Sequence, residues 1–168
     1  QHSVRAARND LFEAHKVILT PGDDVQAHAL ELVSNLWRSL GAEIVVMSVA
    51  HHDDILAQTS HLPHLLAYTL VDVLSGFGNE REVFEYAAGG FRDFSRIAAS
   101  DPVMWHDIFL TNKGPLLDRL RTVIEALEVT ATLIEEEASE ALLERLSRAK
   151  SARDYFADLQ IQSAKKGS

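Results

Sequence analysis

Cysteine is absent from all 168 residues. Its absence removes disulfides, thiol nucleophiles and thiolate metal ligands together, and it fits a reducing, cytoplasmic setting. No apolar run is long enough to cross a bilayer, since even the stretch after His64 meets Asp72. No signal peptide is recognisable either. Positive charge is scarce: 16 Lys and Arg against 25 Asp and Glu leave a net charge of −9. Nucleic acid and anionic membrane surfaces are thereby disfavoured as main partners, and any anion site has to be local. Glycine occurs only at positions 22, 41, 76, 78, 89, 90, 114 and 167. None of these builds a G-x-G-x-x-G turn, so the usual cradle for a dinucleotide pyrophosphate is missing.

What is present is ordinary for a folded domain. Apolar residues make up 46% and charged residues 24%, enough for a packed core and against disorder. The length suits one compact domain, or one domain with part of another. An amphipathic turn from Val4 to Phe12 leads into Lys16–Pro21, which reads as a short buried strand ended by Thr-Pro. A helix is expected from Asp24 to Leu40, with Ala29, Leu32, Val33, Leu36, Trp37 and Leu40 on one stripe and Gly41 as its stop. Glu43–Met47 is a second strand, and strand, helix and strand in this order predict a parallel βαβ unit. From Ala50 onward the periodicity is helical throughout, ending in helices over 115–137 and 139–159. The expected fold class is therefore mainly α: a short βαβ remnant of a Rossmann-type α/β domain over residues 1–48, then an all-α domain over 49–168.

The richest chemistry lies between Ala87 and His106. Arg92 and Arg96 stand at i and i+4 on a helix expected to begin near Phe91, close enough for both guanidiniums to hold one dianion. Gly89 and Gly90 before them admit close backbone approach, and a first helical turn points N–H groups at a carboxylate or phosphate. Against this stands a solvated face on which the two arginines pair with Asp93, Glu82 or Glu85. Asp101 and Pro102 mark the next helix start, as N-cap and first residue. Trp105 follows at core spacing and also stands where it could line a site.

A second cluster runs from His51 to His64. Ser60, His61 and His64 fall on consecutive helical turns, and Pro63 removes one backbone donor and kinks the helix. The imidazoles and carboxylates of His51, His52, Asp53, Asp54, His61 and His64 suit a metal such as zinc, iron or manganese in principle. A His-Asp phosphohydrolase would need further ordered ligands, and only His106 with Asp107 offers itself, so no metal is assigned. His52 and Asp53 read as the start of a long helix, with carboxylates in its first turn.

Three ordered blocks carry a resemblance. The run from Ala87 to Ile97, the block His52-Asp53 followed by Ser60-His-Leu-Pro-His64, and the block Asp101-Pro-Val-Met-Trp-His-Asp-Ile108 with Asn112 resemble the C-terminal helical domain of the prephenate and arogenate dehydrogenase family, enzymes of tyrosine biosynthesis. The likeness covers most of the chain from Val4. It implies an NAD- or NADP-dependent oxidative decarboxylation of a cyclohexadienyl substrate, prephenate or arogenate, by a cytoplasmic homodimer that a feedback ligand such as tyrosine could regulate. It also implies that the catalytic histidine, in a His-Pro motif, falls before Gln1, so that no catalytic residue lies within these residues and they do not turn over alone. By the same resemblance Arg96 is the first choice for the substrate carboxylate, with Arg92 and Asp93 at the pocket mouth. His64, Ser60, His52, Gly89, Gly90 and Trp105 line the pocket. Ser95 stands where the family commonly has Thr. The rival from another class is a non-catalytic helical oligomerisation or tyrosine-sensing module. Both readings imply a helical partner, because the last two helices carry more apolar surface than one copy buries.

Overall fold

The computed structural model describes residues 10–78 and 80–166. The element order is β1 (Lys16–Leu19), α1 (Ala27–Ser39), β2 (Glu43–Val46), α2 (Val49–Leu56), a π-helical turn (Ala57–His61), α3 (Leu62–Ser75), α4 (Glu80–Glu85), α5 (Gly89–Ser95), a 3-10 turn (Arg96–Ala99), α6 (Pro102–Thr111), α7 (Lys113–Glu135) and α8 (Ser139–Lys166). The chain divides into two compact units, one formed by the segment up to Met47 together with the segment from Ile124, the other by Ser48–Val123.

In the first unit, β1 and β2 pair in parallel with Lys16 opposite Glu43 and Leu19 opposite Val46. The expected βαβ unit is thus present, with strands one or two residues shorter than the apolar runs suggested. Helix α1 starts three residues after the expected Asp24, and no side chain caps it. Its end is the one anticipated: Gly41 adopts φ +83°, its amide donates to the Arg38 carbonyl, and the next amide, of Ala42, reaches the Trp37 carbonyl. Phe12 packs edge-on against Trp37 at 4.9 Å. The expected turn from Val4 lies outside the described residues as far as position 9; Asp10–Ala14 is a turn. An open groove of about 240 Å³ lies beside β1, lined by Leu19, Pro21, Val25, Ala29, Leu30 and Val33. In the same unit, Arg145 Nη2 donates to the Ala126 carbonyl at 2.9 Å and ties α8 to the C-terminal half of α7. The outward faces there stay apolar, with Leu127 60% and Leu143 65% exposed.

The second unit is all α. Helix α2 begins at Val49, three residues before the expected start, because the Ser48 hydroxyl accepts the His51 amide as N-cap. His52 and Asp53 therefore lie in its second turn, not its first. Ala57 and Ala67 are fully buried and Trp105 and Leu116 nearly so. Small side chains at 57 and 67 let helices approach closely around the indole. Asp101 caps α6 by accepting from Val103 and Met104, with Pro102 as its first residue.

Gly41 offers a direct test of the first unit. A β-carbon there would meet Glu13 Cα at 3.1 Å in a left-handed backbone. Gly41→Ala should cost about 1–3 kcal/mol, read as a lower urea midpoint; an unchanged midpoint would show that the turn carries no strain.

Candidate functional site

Pro63 shapes the site. It has no amide hydrogen to give the Thr59 carbonyl, and its ring crowds that oxygen. The helix answers with one π-helical turn, in which the Leu62 amide reaches back five residues to Ala57. The kink expected at Pro63 thus takes the form of an inserted residue just before it. Two consequences follow for the histidines. His61 turns inward and is only 8% exposed. His64 Nδ1 donates to the Ser60 carbonyl at 2.8 Å. Ser60 accordingly meets His64 through its backbone oxygen, and among the described residues its hydroxyl makes no hydrogen bond.

Trp105 gathers these rings. His64 stacks on the indole with centroids 3.7 Å apart and planes 19° apart, His61 meets it edge-on at 6.3 Å, and Phe109 lies at 5.5 Å. The indole Nε1 is buried without a partner, an unsatisfied donor of the sort binding sites keep. Asn112, just past α6, holds the base of the cluster: its Nδ2 donates to the Asp53 carbonyl at 2.8 Å and lies 3.1 Å from His61 Nδ1. His52 Nδ1 is 2.9 Å from Asp53 Oδ1. Burial pushes the His61 imidazole below its ordinary value of 6.5, helped by His52 and His64 and opposed by the Asp53 charge.

The arginine pair sits differently from its expected place. Helix α5 starts at Gly89, two residues earlier than expected, and passes into the 3-10 turn at Arg96. The Arg96 amide still bonds the Arg92 carbonyl. Both guanidiniums are exposed, and among the described residues neither makes an ion pair or a hydrogen bond, with Asp93, Glu82 and Glu85 included. The expected pairing of Arg92 with Asp93 is not formed. Gly89 and Gly90 meet nothing within 4 Å at a built β-carbon, so the chain's own packing leaves that space open. Packing of α3 against α5 and the 3-10 turn, with the Tyr68 hydroxyl donating to the Ser100 carbonyl at 2.6 Å, holds this segment against the histidine-bearing helix.

Two contacts had no local signal. Arg119 on α7 donates to Asp54 Oδ1 at 2.6 Å, sixty-five positions away, while Gln58 donates to Oδ2 at 3.0 Å. Arg119 Nε is buried and unpaired. Asn112 likewise joins groups more than fifty positions distant. Among the described residues no three His, Asp or Glu side chains converge as a metal site would need. The β1–α1 connection has Gly22 as its one glycine and places Asp23 and Asp24 before the helix.

The architecture is that of a two-part protein, a parallel βαβ unit followed by an all-α unit that bears a ring cluster and two guanidiniums without partners among the described residues. Residues 48–148 match the family described as prephenate dehydrogenase, dimerization domain, and residues 1–46 match its nucleotide-binding domain; the chain belongs to the prephenate dehydrogenase family. It is 40% identical over 146 residues to cyclohexadienyl dehydrogenase of Zymomonas mobilis, covering 86% of this chain and 50% of that protein. Against prephenate dehydrogenase of Bacillus subtilis it is 40% identical over 152 residues, covering 90% and 41%. Among solved structures, prephenate dehydrogenase from A. aeolicus in complex with hydroxyphenyl propionate and NAD+ superposes with a TM-score of 0.85 at 39% identity, over 91% of this chain and 54% of that one. Synechocystis arogenate dehydrogenase gives a TM-score of 0.77 at 26% identity, over 88% and 54%. The chain spans about half the length of these relatives. No described helix is long and apolar enough to cross a membrane.

The Arg119–Asp54 pair sets a pH dependence. The Arg119 hydrogen bond holds the Asp54 carboxyl below its ordinary 3.8, against a smaller opposing effect of burial. A depressed folded-state value means that the pair stabilises the fold above the ordinary carboxylate value and that this is lost as pH falls through the lower one. Arg119→Met should therefore lower the urea midpoint at neutral pH and converge on the parent in acid; a difference that persists unchanged below pH 3.8 would place Arg119's contribution in packing alone.

Proposed function

We propose that this chain supplies the substrate-carboxylate site and the dimer contact of an NAD(P)-dependent prephenate or arogenate dehydrogenase. The reaction is the oxidative decarboxylation of a cyclohexadienyl acid, and residues 1–46, which match the nucleotide-binding domain, belong to the part that holds the dinucleotide. The observation that carries this reading is a pair of unpaired guanidiniums, Arg92 and Arg96, in an acidic chain, on a segment packed against the helix of His64. Guanidiniums left free beside acidic neighbours are available to a ligand carboxylate, which they bind with directed, charge-assisted hydrogen bonds. Arg96 takes the carboxylate in this proposal. Arg92 and Asp93 stand at the mouth, Gly89 and Gly90 leave room for close approach, and His64, Ser60, His52 and Trp105 form the wall.

Tyrosine, which shares a carboxylate and a six-membered ring with the substrate, is the feedback ligand of the same pocket. The homodimer uses the exposed apolar faces of α7 and α8. We place the protein in the cytoplasm, a reading supported by the cysteine-free sequence and by soluble-type composition, 46% apolar and 24% charged. The exposed apolar faces of α7 and α8 favour a second reading for these residues, as an oligomerising, tyrosine-sensing module.

Calorimetry with prephenate tests the site. Arg96→Ala should weaken binding roughly ten- to a hundredfold, the equivalent of about 1.5–3 kcal/mol for a hydrogen bond to a charged group. Arg92→Ala should cost less at an exposed rim. An Arg96→Ala protein that melts early yet binds normally would move the site elsewhere. Light scattering should return twice the monomer mass, and a monomer at high micromolar concentration would end the dimer proposal.

A further inference from the structure

Two histidines one helical turn apart meet different partners at Nδ1: His61 faces the Asn112 amide nitrogen and His64 the Ser60 carbonyl. Asn112 Nδ2 carries two hydrogens. One goes to the Asp53 carbonyl, an oxygen that can only accept, and this fixes which end of the amide is NH2. The other hydrogen points at His61 Nδ1, 3.1 Å away, which must then present its lone pair, so that the ring proton sits on Nε2. At His64 the order is reversed: Nδ1 faces the Ser60 carbonyl at 2.8 Å and has to carry the hydrogen, which leaves the lone pair on Nε2. We infer that Asn112 is a positioning residue that keeps His61 a neutral Nε2–H donor beside a His64 whose Nε2 is an acceptor, so that the wall of the proposed substrate site offers a ligand one ring donor and one ring acceptor.

His61 stays neutral, because protonating it would set an N–H against the Asn112 amide hydrogens. Burial acts in the same sense, pushing His61 below its ordinary value. The charged groups acting on His61 are His52 and Asp53 of α2 and His64 of α3. From α6 and its end come Trp105 and Asn112, neither of which titrates in this range. The tautomers follow from hydrogen bonds alone; only the ligand's identity rests on the dehydrogenase reading.

The test is long-range proton–nitrogen NMR on the chain labelled with 15N-histidine, followed through the histidine titration range. The parent should show His61 protonated on Nε2 and titrating below 6.5, with His64 protonated on Nδ1. In Asn112→Asp a carboxylate faces Nδ1, which moves the proton to that nitrogen and raises the proton affinity of His61 about tenfold or more; His64 should be unmoved. An Nδ1–H signal for His61 in the parent overturns the inference without any variant. So does an Asn112→Asp protein that melts earlier while His61 keeps its tautomer and midpoint, since that is a purely structural asparagine. Failure of prephenate to perturb either ring, with the tautomers as stated, would refute the dehydrogenase ligand and leave the role of Asn112 standing.

Discussion

A single missing hydrogen organises the helical unit. Pro63 cannot donate to Thr59, and the helix absorbs the defect by reaching back from Leu62 to Ala57. Beside that turn the Ser60 carbonyl accepts the His64 imidazole, and His61 turns into the core. The π-helical turn also buries Ala57 and His61 together. The rest of the cluster then has an order of dependence. The His64 ring is oriented by Ser60, the indole of Trp105 stacks on that ring, and Asn112 closes the far side by joining His61 to the α2 backbone.

The electrostatics fit a small acidic ligand better than a large anionic one. A chain of net charge −9 repels polyanions at a distance, yet among the described residues two guanidiniums and a buried indole N–H have no partner. Holding an orphaned donor costs stability of order 1–3 kcal/mol. Arg119 is the contrasting case: paired with Asp54, it links α7 to α2 and serves the scaffold.

Features with a local cause were legible before any coordinates. Asp101-Pro102 starts a helix because an acceptor and a preset φ stand at adjacent positions, and Gly41 stops one because only glycine enters φ +83° without penalty. Pro63 announced a disturbance, though not its form, since a kink and a π-helical turn both relieve the same lost bond. Helix starts were misplaced where the cap was not the most obvious residue: Ser48, and not the carboxylates that follow it, begins α2. The split of the arginine helix into α5 and a 3-10 turn is set by packing on α3, which no periodicity records. Asn112 and Arg119 were illegible in their roles for a plain reason. Their partners lie fifty to sixty-five positions away, and one polar residue looks like another until the chain has folded.

The parallel sheet of the first unit has two strands among the described residues, and within these β1 and β2 each have one edge with no strand beside it. Parallel ladders are built to be covered on both faces and extended on both sides. Val17, Ile18, Ile44 and Val45 make these edges β-branched and apolar, with little charge to discourage pairing. A strand laid along either edge would extend the same ladder, and these side chains favour such pairing.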